Sequence, residues 1–377
     1  IAGVLSFDLS SAFDAIDSTI LCKKLCLYGF DMTSIKWVKS YLTNRMQYVR
    51  IGSKDSEMMF LVTGSPQGSV ISPIFFIILL ADIDEWTKYA IIAGFADDNS
   101  ATVTGESQSE VVTKLESDAL DILRFMASNK LLANESKTTF MMFGRRNEVE
   151  PAKIRVGYAE VKEQEAQKIL GITVTSDLKW NAHINNLKSK LLHRLYLMRH
   201  LRSLLPLHTM KQIADGLFNS QIRYGLPLFL RPRLHASAPT SSHLYELQVI
   251  HNELVRLIVG VNRRDKVNMA KLRESHHIMS INQMLCQATA IETFKVIHHD
   301  SVPSLKNMLT ETGTSSIITR SRSNALLRTP LRTTRVAEGF ATHASKLFNM
   351  LPTALRENQS YSSFKSKLNK WITDHLQ

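Results

Sequence analysis

Two apolar runs of this chain end in carboxylates: residues 2–8, AGVLSFD, and residues 89–98, YAIIAGFADD. Runs of this length and make-up read as buried strands, the first with chemistry at its C-terminal end. Asp97 and Asp98 are adjacent in a tight turn, where like charges repel and need compensation. A divalent cation compensates them naturally, because Mg²⁺ prefers hard oxygen ligands and is shared between carboxylates and substrate phosphates. Three aspartates from two neighbouring strands could hold two such ions ~3.5–4 Å apart, an arrangement suited to nucleotidyl transfer. The simpler reading of Asp97-Asp98 is a solvated turn pair.

A chain of 377 residues has room for two or three domains, and 44% hydrophobic with 21% charged residues excludes wholesale disorder. Cys22, Cys26 and Cys286 are too few for a disulfide framework or a four-cysteine zinc site, and they fit an intracellular, reducing compartment, nuclear or cytoplasmic. Residues 70–83 form the longest apolar stretch, interrupted by Ser72 and Pro73. It falls short of the ~20 residues a membrane span requires, so it predicts a buried helix and no membrane partner. The chain opens at Ile1 without initiator methionine or targeting signal, which leads us to expect a fragment.

Charge is unevenly spread. Residues 1–175 carry 18 basic and 22 acidic residues, whereas residues 176–377 carry 28 and 12. The basic part suits a polyanion through counterion release, although a soluble basic surface has the same composition.

Asp17, Ser18 and Thr19 predict a cap for a helix over residues 20–28 stopped by Gly29, and a second helix follows over residues 34–42. QYVRI and MMFLVT, between residues 47 and 63, predict a hairpin with a polar loop. After the apolar helix, the second run and SATVTG read as strand, acidic turn, strand. A long amphipathic helix over residues 106–132 follows, and TTFMMFG and ILGITVT supply two more strands. Residues 1–175 are therefore α+β, with helices against a small antiparallel sheet. From Trp180 onward helical spacing dominates, with breaks at Pro206, Pro227 and Pro232, a loop-like stretch over 301–335 and helices over 340–376.

FDLSSAFDAID, GSPQGSVISP, FADD and NESKTTFMMFG occur in this order over residues 7–144. Together they resemble the palm motifs of reverse transcriptases encoded by non-LTR (LINE-type) retrotransposons. LGITVTSDLKW, LRSLLPLHTMKQI and IRYGLPLF resemble the thumb region of the same family. The resemblance implies a right-hand polymerase fold, with a palm over residues 1–175, a helical thumb over 176–235 and a mainly helical, basic C-terminal region over 236–377. It implies an RNA-directed DNA polymerase that binds an RNA template, a DNA primer and deoxynucleoside triphosphates, with Mg²⁺ on Asp8, Asp97 and Asp98.

The same resemblance places Phe13 against the sugar of the incoming nucleotide, where it excludes a ribose hydroxyl; the plainer reading is a core phenylalanine. It places Gln67 and Gly68 beside template or nucleotide, Gly68 by allowing close backbone approach. Lys137 falls near the pyrophosphate leaving group, as a charge-neutralising or proton-delivering group; a solvent-facing lysine reads equally well. Lys188, Lys190, Arg194, Arg199 and Arg202 are candidates for gripping duplex phosphates. Asp14 and Asp17 are assigned to no metal. His276-His277, His298-His299 and Cys286 lack zinc-site spacing. Complete members carry the fingers before the first motif, and here seven residues precede Asp8, so we expect an N-terminally truncated palm. The competing expectation is a nucleic-acid-binding remnant without synthesis.

Overall fold

Strand β1 (Ala2–Ser10) buries Leu5, Phe7 and Leu9 and leaves Val4, Ser6 and Asp8 half-buried. That alternation belongs to a strand with one face on a core and the other open. The computed structural model describes residues 1–10, 12–144, 150–235, 237–299, 301–309, 327 and 339–376. Two compact units, Ile1–Lys179 and Trp180–Gln377, divide the chain.

In the first unit, Asp17 accepts from the amides of Thr19 (2.8 Å) and Ile20 (3.0 Å) and starts helix α1 (Ser18–Leu27). Asp31 does the same for α2 (Met32–Leu42). Both helices begin earlier than the apolar spacing places them, because the capping aspartates set the first turn. Gly29, at φ +82°, ends α1.

The expected hairpin over 47–63 is two nested ones. Strand β2 (Arg45–Gln47) waits for an outer partner while β3 (Arg50–Ile51) pairs with β4 (Lys54–Asp55), and β2 then pairs with β5 (Met59–Leu61). The Arg50 Nε–Asp55 Oδ1 ion pair of 2.7 Å and Gly52 at φ +60° close the inner turn.

Helix α3 (Ser72–Leu80) corrects the reading of residues 70–83 as a buried helix. Phe75, Phe76, Leu79 and Leu80 enter the core, yet Ile74 and Ile77 are exposed. A helix that is apolar all round still has only one face turned to its neighbours.

Strands β6 (Ile91–Phe95) and β7 (Asp98–Thr104), helix α4 (Gln108–Ser128) and strand β8 (Leu132–Phe143) complete the main sheet. Its order is β6-β7-β1-β8, every pair antiparallel. Helix α4 covers the buried face. It approaches so closely that a Cβ on Gly3 would lie 2.6 Å from Val111 Cγ1.

Two further hairpins follow. Strands β9 (Lys153–Val156) and β10 (Ala159–Lys162) pack against α4 and the edge of β8. Strands β11 (Ala166–Ile169) and β12 (Ile172–Thr175) divide the ILGITVT segment, since Leu170 (φ +46°) and Gly171 (φ +84°) turn the chain back.

The second unit is helical. It runs through α5 (Asn181–Leu201), α6 (Leu207–Ile213), a π-helical turn (Ala214–Asn219), α7 (Ser220–Arg223), α8 (Leu226–Phe229), α9 (Ser242–Val259), α10 (Met269–Ser275) and α11 (Ile281–His299). Then come α12 (Pro303–Met308), α13 (Phe340–Met350), α14 (Thr353–Arg356) and α15 (Tyr361–His375). Most of the stretch expected to be loop-like, 301–335, lies outside the described residues.

Two cores share α11. Met284 and Leu285 join α5 and α9, while Ala290 and Phe294 join α13 and α15, where Phe294 stacks on Phe364 with ring centroids 4.2 Å apart. Among the described residues no helix is long and apolar enough to cross a membrane.

His251 on α9 is fully buried, and neither ring nitrogen has a hydrogen-bond partner among the described residues. Burial, reinforced by the charges of Arg273 and Arg223, pushes its imidazole down to about 3 from an ordinary 6.5. A base depressed in this way stabilises the fold fully above pH 6.5 and loses that contribution as pH falls toward 3. At pH 5 the loss amounts to ~2 kcal/mol. Urea unfolding at pH 7 and pH 5 should show the parent losing more stability than His251→Leu by about this amount.

Candidate active site

Register decides which side chains meet at the open end of the main sheet. Strand β1 pairs with β7 from Ala2↔Thr104 to Phe7↔Asn99, and Asp8 and Asp98 are the residues next to that last pair. Residues directly opposite in an antiparallel pair share a face. This face, away from α4, carries Val4, Ser6 and Asp8 beside Thr102, Ser100 and Asp98, none of them buried. Asp97 sits in the turn that joins β6 to β7 after their last pair, Phe95↔Asp98. Asp8 and Asp97 both act on Lys137, and Asp98 follows Asp97 in the chain.

On the other side of β1 the pairing with β8 slips, from Ser6↔Thr139 to Asp8↔Asn134. A bulge of this kind re-aims side chains. Here it carries Lys137, whose Nζ donates to Asp8 Oδ2 at 2.8 Å. The hydrogen bond and charge of Asp8, with a smaller contribution from Asp97, hold the Lys137 ammonium above the ordinary lysine range. The lysine side chain is 66% exposed, so water screens the pair and leaves it easily opened.

Among the described residues no three His, Cys, Asp or Glu side chains lie close enough together to hold a metal ion. The cation at the corner is Lys137. Even so, the donor chemistry suits a divalent ion, since Asp8, Asp97 and Asp98 offer only hard carboxylate oxygens. An ammonium bonded to Asp8 and felt by Asp97 marks the place where positive charge is favoured.

The loop before α3 folds against the segment after β1. The amide of Ser65 donates to Phe13 O at 2.9 Å and that of Gly64 to Ile16 O at 2.8 Å. Gly64 is required here, because a Cβ would lie 2.9 Å from Asp14 Cα. Gln67 Nε2 donates to Asp14 Oδ1 at 3.2 Å, which gives Asp14 a positioning role away from the carboxylate corner. Gly68 has φ +82° with open space beside its Cα. Phe13 is half-buried, its ring 5.2 Å from that of Phe76.

Sequence reasoning missed three residues that shape this region. Arg45 donates to the carbonyls of Thr63 (3.1 Å) and Gly64 (2.5 Å) and clamps the loop. Asn99, buried behind the acidic turn, donates to Asp97 O at 3.1 Å. Asp118 on α4 is completely buried and accepts from the amides of Lys88 (3.1 Å), Tyr89 (2.8 Å) and Ala90 (2.6 Å), fixing the entry to β6. An aspartate on the apolar stripe of α4 was the available signal for Asp118.

Of the basic candidates in the second unit, three are engaged inside it. Lys188 pairs with Glu246 at 2.8 Å, Arg202 donates to Leu257 O at 3.0 Å, and Arg194 bonds Leu217 O. Lys190 and Arg199 are exposed on α5.

Residues 2–174 match the family model described as reverse transcriptase (RNA-dependent DNA polymerase). Among curated proteins, the chain is 24% identical over 231 residues to a probable RNA-directed DNA polymerase from transposon X-element of Drosophila melanogaster, covering 59% of this chain and 24% of that protein. It is 24% identical over 265 residues to the RNA-directed DNA polymerase from mobile element jockey of the same organism, covering 67% of this chain and 28% of that one. The chain thus spans about a quarter of the length of these relatives. Among solved structures, apo telomerase from Candida tropicalis aligns with a TM-score of 0.37 and 13% identity, over 80% of this chain and 52% of that one.

Asp118→Ala leaves the amides of Lys88, Tyr89 and Ala90 without their acceptor, which should cost ~1–3 kcal/mol. Denaturant unfolding measures the loss, and hydrogen exchange should quicken first at Lys88, Tyr89 and Ala90.

Proposed function

We propose, on the premise that residues 2–174 are a reverse transcriptase domain of the kind non-LTR retrotransposons encode, that the chain acts as an RNA-directed DNA polymerase. It joins deoxynucleotides to a primer 3′-hydroxyl on an RNA template. The observation that supports this reading is the β1–β7 register, whose last pair, Phe7↔Asn99, has Asp8 and Asp98 as its next neighbours on an open sheet face, beside the Asp97 turn.

Asp8, Asp97 and Asp98 are the residues that would hold Mg²⁺. When bound there, the ion lowers the pKa of the attacking hydroxyl and neutralises triphosphate charge. Lys137, loosely held by Asp8, is free to turn toward the leaving pyrophosphate and to supply charge or a proton. Phe13, backed by Phe76, stands against the nucleotide sugar and discriminates against ribose by steric exclusion. The loop of Gln67 and Gly68, pinned by Arg45 and Asp14, offers backbone and amide contacts to template or nucleotide.

We keep the division of labour read from the sequence: palm over 1–175, thumb over 176–235, basic C-terminal region over 236–377. The exposed Lys190 and Arg199 are the phosphate contacts we assign to α5.

Primer extension on an RNA template tests the reading. The chain should extend a DNA primer in Mg²⁺, and Asp97→Asn should slow it ~10³-fold, as expected when several kcal/mol of charge stabilisation is removed. Equal rates for parent and Asp97→Asn would overturn the metal assignment. A chain that binds primer–template and extends nothing supports instead the nucleic-acid-binding remnant.

Phe13→Val should admit ribonucleotides more readily, read as a rise of ~10-fold or more in their relative kcat/KM. Unchanged discrimination would remove Phe13 from the sugar site.

A further inference from the structure

The turn that carries Asp97 is under strain. Ala96 has φ +55°, a left-handed conformation that costs an L side chain ~1–2 kcal/mol and persists where neighbouring structure imposes it. Glycine or asparagine usually occupies such a position. Something other than the turn's own residues must hold it.

Asn99 is placed to do so. It is only 5% exposed, and its Nδ2 donates to the carbonyls of both turn residues, Ala96 at 3.4 Å and Asp97 at 3.1 Å. Its room comes from the residue across the hairpin. Gly94 pairs with Asn99, and a Cβ on Gly94 would lie 2.5 Å from Asn99 Oδ1. The missing side chain at Gly94 is therefore the space that the Asn99 amide fills.

We propose that Gly94 and Asn99 act together as a lock on the acidic turn, with Asn99 as a positioning residue for Asp97 and Asp98. It works through the backbone, since its two bonds end on the carbonyls of the turn. An amide side chain suits the task, because its two N–H donors can reach both carbonyls at once. The lock rests on the proposed metal-binding role of the aspartates for its consequence and on the hairpin geometry alone for its existence. Groups that hold ligands from behind typically change metal affinity ~10–100-fold when removed.

Two readouts on the full chain separate these levels. The first is Mn²⁺ affinity, followed as free Mn²⁺ by electron paramagnetic resonance. Asn99→Leu keeps the volume and removes the donors, and it should weaken Mn²⁺ binding ~10-fold. Asn129→Leu is the control. That residue is also a buried asparagine donating to a backbone carbonyl, Phe125 O at 2.8 Å, at the C-terminal end of α4 and outside the β6–β7 hairpin, and its loss should lower stability without changing Mn²⁺ affinity. Gly94→Ala should reproduce the effect of Asn99→Leu, and the double variant should add little to either. The Gly94 variant also serves if Asn99→Leu fails to fold.

The second readout is hydrogen exchange at the amides of Asp97 and Asp98, which should accelerate in Asn99→Leu and Gly94→Ala and stay unchanged in Asn129→Leu. Parent-like Mn²⁺ affinity and parent-like exchange in both hairpin variants overturn the lock. If Asp8→Asn binds Mn²⁺ as the parent does, the metal reading fails instead, and exchange at the turn alone then decides for or against the lock.

Discussion

Everything in the first unit depends on β1 being paired on both sides. A strand bonded to β7 on one edge and β8 on the other has no freedom of register, because a slip of one residue would turn Leu5, Phe7 and Leu9 out of the core. The apolar alternation that holds those residues against α4 thereby also fixes Asp8 on the opposite face. Burial energy on one side of the strand positions charge on the other. The same argument applies to β7, where Ala101 and Val103 are buried and Asp98, an odd number of residues from both, lies on the open face.

Gathering carboxylates at a corner has an electrostatic cost that the fold offsets locally. Lys137 reaches Asp8 because the β1–β8 ladder slips there, and an unbroken ladder would have placed that lysine by simple alternation instead. The offset is weak by design of its surroundings. A side chain that is largely solvated contributes little to stability, and for the same reason it can be exchanged for another cation or redirected to a phosphate. Deeper support comes from groups that water does not reach: Asp118 on three amides at one end of β6, Asn99 on two carbonyls at the other. These neutral-backbone contacts are the stiff part of the site, and the charged contacts are the labile part.

What the sequence discloses follows from the range of each interaction. The cap at Asp17, the stop at Gly29 and the strand–turn–strand around Asp97 are local, carried by residues within a few positions of one another, and they are present as expected. The inner hairpin was missed because β4 (Lys54–Asp55) is polar and reads as loop, and the β11–β12 turn because Leu170-Gly171 sits inside a run whose β character dominates the pattern. The half-exposed α3 could not be read from hydrophobicity, which reports what a face could bury and not whether a neighbour reaches it. The Arg45 clamp and the bulge at Lys137 are relations between segments distant in sequence, so their residue types alone carried no signal.

The second unit shows why net charge is a poor map of a binding surface. Its excess of basic residues is real, yet Lys188, Arg194 and Arg202 are spent on Glu246 and on helix carbonyls, and Arg273 is bound to Asn252 at 2.8 Å beside the buried His251. Cations used in this way close helix ends and join α5 to α9, and they contribute to an external field only at longer range, where salt screens them within ~8–10 Å. Lys190 and Arg199 on α5, by contrast, are exposed. Counting charges therefore overstates the field at the surface, and the arrangement of helices decides how much of the +16 over residues 176–377 faces outward.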